Sequence, residues 1–147
     1  MITEITVSNY KSIGQDVRLT LSELTALVGP NGSGKSNLAD VFRFVAEALS
    51  VGLDSAVTTR HGIHVVRRWS SGRPFNMSIE IKLKDTMFSG SYAFTLAGDR
   101  AEDYRVKEEE AFVVPAEGEG VHFRLEDGKW VDGPSDLRPK VTARSLA

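Results

Sequence analysis

Hydrophobic and polar positions change period several times along the chain, and each change predicts an element. Ile2 to Val7 is rich in β-branched residues, and Val17, Leu19 and Leu21 alternate with polar ones, so two strands should flank a turn at 9–14. Leu24-Thr25-Ala26-Leu27-Val28 is a short, mostly apolar run of the kind expected in a buried strand. The period then lengthens. Leu38, Val41, Phe42, Val45, Ala46 and Leu49 fall at i, i+3, i+4, i+7, i+8 and i+11, one face of an amphipathic helix that should end near residues 50–52. Residues 53–59 predict a short helix stopped by Gly62.

The two-residue period then returns. Met77, Ile79, Ile81 and Leu83 share one face, as do Tyr92, Phe94 and Leu96 on the next segment, which predicts an antiparallel hairpin with residues 84–90 as its loop. Tyr104, Val106, Phe112 and Val114 carry the strand pattern through Glu108-Glu109-Glu110. Val121, Phe123 and Leu125 alternate before Asp127-Gly128, a pair suited to a type I′ turn, with residues 129–131 returning. The glutamate run reads as a solvated or edge-strand feature rather than a metal site, because consecutive strand residues point to opposite faces. After Gly133-Pro134 the pattern fades, and Pro139 breaks any helix.

Between the apolar run and the amphipathic helix lies Gly29-Pro30-Asn31-Gly32-Ser33-Gly34-Lys35-Ser36, a complete G-x-x-x-x-G-K-[ST] phosphate-binding loop. The motif needs a strand before it and a helix N-terminus after it, and both flanks are predicted. Gly29, Gly32 and Gly34 tolerate positive φ, so successive N–H groups can turn toward phosphate oxygens. Lys35 supplies a charge for the β and γ phosphates and is the candidate catalytic residue, and Ser36 is the candidate Mg²⁺ ligand. ATP and Mg²⁺ are the expected cofactors.

Composition narrows the class. At 147 residues, with 41% hydrophobic and 26% charged residues, the chain is expected to form one globular domain, short for a complete ATPase. No run approaches the ~20 apolar residues of a membrane helix, and no signal-peptide pattern opens the chain, so a soluble, cytoplasmic protein without a membrane partner is expected. Zero cysteines exclude disulfides and cysteine-based metal sites. Residues 1–75 carry 8 basic and 6 acidic side chains, and residues 76–147 carry 10 and 14, so neither half has the basic excess of a nucleic-acid face. Arg67-Arg68, with Arg60 and Arg73 nearby, is the one basic concentration and reads as a solvated loop. His61, His64 and His122 read as structural or surface residues.

The opening Ile2-Thr3-Glu4-Ile5-Thr6-Val7-Ser8-Asn9-Tyr10-Lys11-Ser12-Ile13, followed by residues 24–37 with the loop and Asn37, resembles the N-terminal lobe of RecF/SMC/Rad50-like ATPases with ABC-type heads. The resemblance implies an α/β P-loop NTPase fold, with a mixed or antiparallel β-subdomain. Residues 1–62 would hold strands, loop and helix, 63–133 the β-subdomain, and 134–147 a tail leading to a C-terminal part. It also implies that Lys11 sits near the nucleotide, that Asn31 lies beside the γ-phosphate, and that Gly32, Ser33, Gly34, Lys35, Ser36 and Asn37 complete the nucleotide contacts. ATP-driven dimerisation of heads in the full protein, with DNA as a further partner, is implied in the same way. DNA repair, chromosome maintenance or phage defence would be the setting.

The family's Q-loop glutamine, signature motif, Asp-Glu strand end and switch histidine are not recognisable here. Gln15, the sole glutamine, comes too early. The chain is therefore expected to be the N-terminal piece of a longer ATPase and inactive alone. An ABC transporter subunit is the alternative, against which stand Asn37 in place of the usual threonine and the Asn9-Tyr10-Lys11-Ser12 opening. A GTPase or small-molecule kinase is disfavoured because Asn-Lys-x-Asp is absent and the second half is rich in strands. A self-contained ATP-sensing module is disfavoured by the tail, which lacks a closing element.

Overall fold

Alternation places Ile5 and Val7 on one side of β1 (Ile2–Ser8), and that side becomes the core. The computed structural model describes residues 1–70 and 73–137. After β1 come β2 (Val17–Thr20), α1 (Lys35–Ser50), α2 (Leu53–Thr58) and α3 (Ile63–Val66). A two-residue pair, β3 (Trp69–Ser70) and β4 (Arg73–Pro74), leads into β5 (Met77–Lys84), β6 (Phe88–Ala97), β7 (Arg105–Pro115), β8 (Val121–Glu126) and β9 (Lys129–Asp132), and a 3-10 turn spans Ser135–Leu137.

Seven strands form one sheet in the order β2-β1-β5-β6-β7-β8-β9, every pairing antiparallel. Register aligns the apolar rows: Ile5 pairs with Ile81 and Ile81 with Tyr92, Val7 with Ile79 and Ile79 with Phe94, and Met77 with Leu96. Helices α1 to α3 cover this face, and Val41, Phe44, Val45, Ala56, Val57, Ile63 and Val66 join those rows in one cluster. Among the described residues the result is an α/β fold with an antiparallel sheet.

The predicted hairpin forms, with a shorter loop: β5 ends at Lys84 and β6 begins at Phe88. Asp127 and Gly128, at φ 46° and 72°, make the expected tight turn between β8 and β9. α2 ends at Thr58, and the turn after it closes with His61 N–H on the Thr58 carbonyl at 2.9 Å and Gly62 N–H on the Val57 carbonyl at 3.0 Å. Gly62, with φ 107°, is also the N-cap of α3, a helix the periodicity does not predict because it is one turn long.

Three expectations are corrected. Residues 24–28 form no strand: both edges of β1 are taken, by β2 and β5, and no described strand pairs with this segment. A side-chain turn holds its start, Ser22 Oγ donating to the Leu24 carbonyl at 2.8 Å, and Leu24 and Val28 are 89% and 90% exposed. The buried stripe of α1 is Val41, Phe44, Val45 and Ala48, rotated from the predicted face. Phe44 decides this, lying edge-on to Tyr10 at 5.6 Å and 6.4 Å from Phe94, while Ala46 and Leu49 face outward. The glutamate run lies on β7, which has neighbours on both sides, and Glu109 is buried, so it is no edge feature. Among the described residues no cluster suited to a metal ion forms. Pro139 and the rest of the expected tail beyond Leu137 lie outside the described residues.

Of the arginines expected in a solvated loop, Arg68 is exposed, but Arg60 and Arg67 are engaged inside the fold. Arg67 is 1% exposed and donates from Nη2 to the carbonyls of Arg100 (2.9 Å) and Asp103 (3.2 Å), tying α3 to the β6–β7 connection. Desolvation lowers its pKa, against the pull of Asp103 and Asp99.

Candidate nucleotide-binding site

The loop between residue 29 and α1 turns where its glycines allow it. Gly32 and Gly34 adopt φ 83° and 91°, which L residues with a Cβ adopt only under strain, and α1 begins at once with Lys35. The first turn of a helix leaves amide N–H groups without intrahelical acceptors. Here Gly34 is the N-cap with no side-chain cap, and the first turn of α1 carries no acidic residue. A 16-residue helix thus presents an uncapped, positive N-terminal end inside a glycine-rich turn, a donor set that fits a phosphate group.

Lys35 folds back over the loop. Its Nζ donates to the Gly29 and Pro30 carbonyls, both at 2.7 Å, and to Ser33 Oγ at 3.2 Å. The ammonium therefore lies within the loop before its helix. Ser36 is exposed on the first turn of α1, and Asn31 and Gly32 are exposed at the loop's tip. A cleft of about 590 Å³ opens beside the loop, bounded by Ser12, Val17, Leu27, Gly29, Lys35 and Leu38 among others. Asn31, Gly32, Ser36 and Asn37 do not border it.

The turn between β1 and β2 reaches the same place. Asn37 Nδ2 donates to Ser12 Oγ at 2.6 Å, joining this turn to the first turn of α1. Lys11 points to Asp40, with Nζ 2.6 Å from Oδ2, and Tyr10 Oη donates to that same oxygen at 2.6 Å. Arg60 completes the group, reaching Asp40 Oδ1 and Glu47 Oε2 at 3.2 and 2.7 Å. Burial would raise the Asp40 pKa, but the bonds from Lys11, Tyr10 and Arg60 outweigh it and bring the carboxyl down to about 2. The Tyr10 hydroxyl is pushed up by burial and by its bond to Asp40.

Of the sequence candidates, Asn31 to Asn37 come together by contiguity. Lys11 is brought to α1 by folding but is engaged by Asp40 rather than by the loop. Sequence reading missed Ser12, Asp40 and Arg60. Asp40 had one available signal, its place four residues after Ser36 on the same helix face; the 20-residue separation of Arg60 left none.

The sequence profile of the AAA ATPase domain family matches residues 1–113. The chain is 49% identical over 45 residues to the chromosome partition protein Smc of Desulfitobacterium hafniense, covering 30% of this chain and 4% of that protein. It is 38% identical over 60 residues to the chromosome partition protein Smc of Halothermothrix orenii, covering 40% and 5%. With the human structural maintenance of chromosomes protein 1B the identity is 32% over 80 residues, covering 52% and 6%. The matched stretch is thus a small fraction of each relative's length. No described helix is long and apolar enough to cross a membrane. With the profile spanning most of the chain and the phosphate-loop segment folded into a turn and helix, the chain belongs to the AAA ATPase domain family, as an SMC/RecF-like N-terminal region.

Proposed function

We propose that this chain is the ATP·Mg²⁺-binding N-terminal lobe of an ABC-type head, part of an SMC/RecF-like ATPase that maintains, repairs or defends DNA in the cytoplasm. The observation that carries the reading is the glycine turn running directly into the uncapped end of α1 with Lys35 Nζ inside it. In this reading residues 1–62 form the nucleotide-binding part, 63–133 the β-subdomain, and 134–147 lead toward the rest of the head.

Gly32, Ser33, Gly34, Lys35, Ser36 and Asn37 would hold the phosphates through backbone N–H groups and the Lys35 ammonium. Asn31 would lie beside the γ-phosphate, Lys11 would add a second cation, and Ser36 would bind Mg²⁺. When bound, the metal would supply charge neutralisation on the phosphates. Lys35 does the same from the protein side, exchanging its bonds to the Gly29 and Pro30 carbonyls for phosphate oxygens. The exchange costs little side-chain entropy, because the ammonium is already ordered by these bonds.

Phosphoryl transfer also needs a group that orients water, and the sequence shows no Asp-Glu strand end to supply one. Two features support completion by another lobe and pairing of two heads: the absence of that motif, and the apolar but exposed segment 24–28, which has β-strand composition and no strand partner among the described residues. The test is ATP·Mg²⁺ binding by this chain beside Lys35→Ala, with hydrolysis followed in the same samples. Binding weakened by Lys35→Ala by roughly 10- to 150-fold, the equivalent of a charge-assisted hydrogen bond, with no turnover, is the expected result. Turnover by the isolated chain would show a complete catalytic set within it, and binding indifferent to Lys35 would remove the nucleotide reading.

A further inference from the structure

Asp40 collects three donors that are not equally held. Tyr10 is fully buried, its ring edge-on to Phe44. The Arg60 side chain is 10% exposed, lies over the Phe44 ring at 5.2 Å, and is bound through Nη1 to Glu47 Oε2 at 2.7 Å and to the Ala56 carbonyl at 2.8 Å. Lys11 has one carboxylate partner among the described residues, a flexible four-carbon stem and a 25% exposed side chain. An ionised carboxylate accepts about four hydrogen bonds. With Tyr10 and Arg60 in place, Asp40 stays neutralised and bonded when Lys11 leaves, so Lys11 is the replaceable donor.

The backbone around Lys11 is the reverse of loose. Asn9 and Lys11 adopt φ 59° and 49°, a left-handed conformation unfavourable for non-glycine residues, which persists where the surroundings impose it. They do so from several sides: Lys11 N–H bonds the Val66 carbonyl at 2.7 Å, Arg68 N–H bonds the Asn9 carbonyl at 2.9 Å, and Asn9 Nδ2 bonds the Asn76 carbonyl at 2.9 Å. Next along, Ser12 is bonded to Asn37, and its Oγ lies 3.7 Å from where a Cβ on Gly34 would stand. A rigid turn therefore fixes the Lys11 backbone one residue before Ser12, which meets the loop, and leaves the Lys11 side chain as the part that can swing.

Resting on the nucleotide reading above, we infer that Asp40 is a positioning residue that holds the Lys11 ammonium in reserve beside the phosphate loop, and that a triphosphate takes Lys11 over while Tyr10 and Arg60 keep Asp40 in place. Lys11 then acts as a second cation on the phosphates, and its affinity for Asp40 sets how much of the binding energy is spent on drawing it away.

The experiment measures ATP·Mg²⁺ affinity at low salt for the chain, Asp40→Asn, Lys11→Met and the double variant, and follows ¹³C-methylated lysine resonances of the unmutated chain during the titration. Asp40→Asn should release Lys11 and tighten binding by roughly five- to tenfold, an effect that disappears in the Lys11→Met background. The Lys11 methyl resonance should shift in step with Lys35-dependent binding. Equal tightening with Met at position 11 would mean that Asp40 acts through its own charge, and the inference falls. It falls also if Asp40→Asn leaves the affinity unchanged or weaker, or if the Lys11 resonance stays still while nucleotide binds. If Asp40→Asn does not fold, the resonance decides. Absence of Lys35-dependent binding by the parent chain is a separate result, which overturns the nucleotide reading itself.

Discussion

Tyr92 Oη donates a 2.8 Å hydrogen bond to Glu109 Oε1 across the β6–β7 pair, on the core face of the sheet where Glu109 is 1% exposed. A carboxylate in an apolar row is costly unless bonded, and the Tyr92 hydroxyl, pushed up in pKa by burial and then by Glu109, stays protonated to serve it. Tyr92→Phe removes this donor and should cost about 1–3 kcal/mol in urea unfolding. Glu109→Gln, which removes the charge and can still accept from Tyr92, should cost less. The reverse order would mean that the charge itself is what the site requires.

Acid should loosen the α1 region through Asp40. Its folded pKa is depressed, so its contribution is complete above the unfolded value of about 3.9 and is lost as pH falls through about 2. The shift corresponds to roughly 2 kcal/mol, and thermal melts between pH 5 and 2 should show a less steep decline in Asp40→Asn than in the parent chain.

The outer strands should respond in the opposite sense. His122 on β8 lies between Glu110 of β7 and Asp132 of β9, with Nε2 and Nδ1 at 2.8 and 3.0 Å from their carboxylates, and both raise its pKa, Glu110 more. A raised folded pKa gives stability that is present below the unfolded value near 6.5 and lost as pH rises through the folded value. Amide exchange in β8 and β9 should quicken across that window, and His122→Gln should abolish the change.

Close backbone approach makes Gly98 a sensitive position. A Cβ there would stand 2.1 Å from the Asp103 carbonyl oxygen and 3.0 Å from Arg67 Nη1, so Gly98→Ala must displace the connection that receives Arg67. A loss of about 2–4 kcal/mol is expected by calorimetry, well above the usual effect of a surface alanine.

In Gly34→Ala the added Cβ meets only Ser12 Oγ at 3.7 Å, an ordinary contact, so the cost comes from φ 91°. About 1–2 kcal/mol of stability should be lost, and ATP·Mg²⁺ binding should weaken further, because relief of the strain turns N–H groups away from the loop's interior. Equal affinity in the variant would separate loop geometry from phosphate binding.

Local pattern was enough for much of this molecule. The alternation of Met77 to Leu83 and of Tyr92 to Leu96 and the Asp127-Gly128 turn are short-range signals that form as expected, whereas the Gly29–Ser36 loop has the helix it needs after it but not the strand before it. What pattern misjudged depended on distant partners. Phe44 rather than Ala46 faces inward because Tyr10 and Phe94 stand opposite it, and Arg67 is buried because carbonyls more than thirty residues away receive it. Residues 24–28 have strand composition, yet a strand exists only where a neighbour supplies its hydrogen bonds.

By itself the sequence determined the glycine turn at residues 29–34, the helix that follows it and the antiparallel character of residues 77–132, since turn glycines and side-chain periodicity act within a few residues. The tertiary structure alone decided that Lys11, Tyr10 and Arg60 converge on Asp40, and that Asn37 grips Ser12 beside the loop. The reason is physical: an ion pair between residues 20 to 30 positions apart forms only after the sheet and helices have brought them together, and no local spacing encodes that meeting.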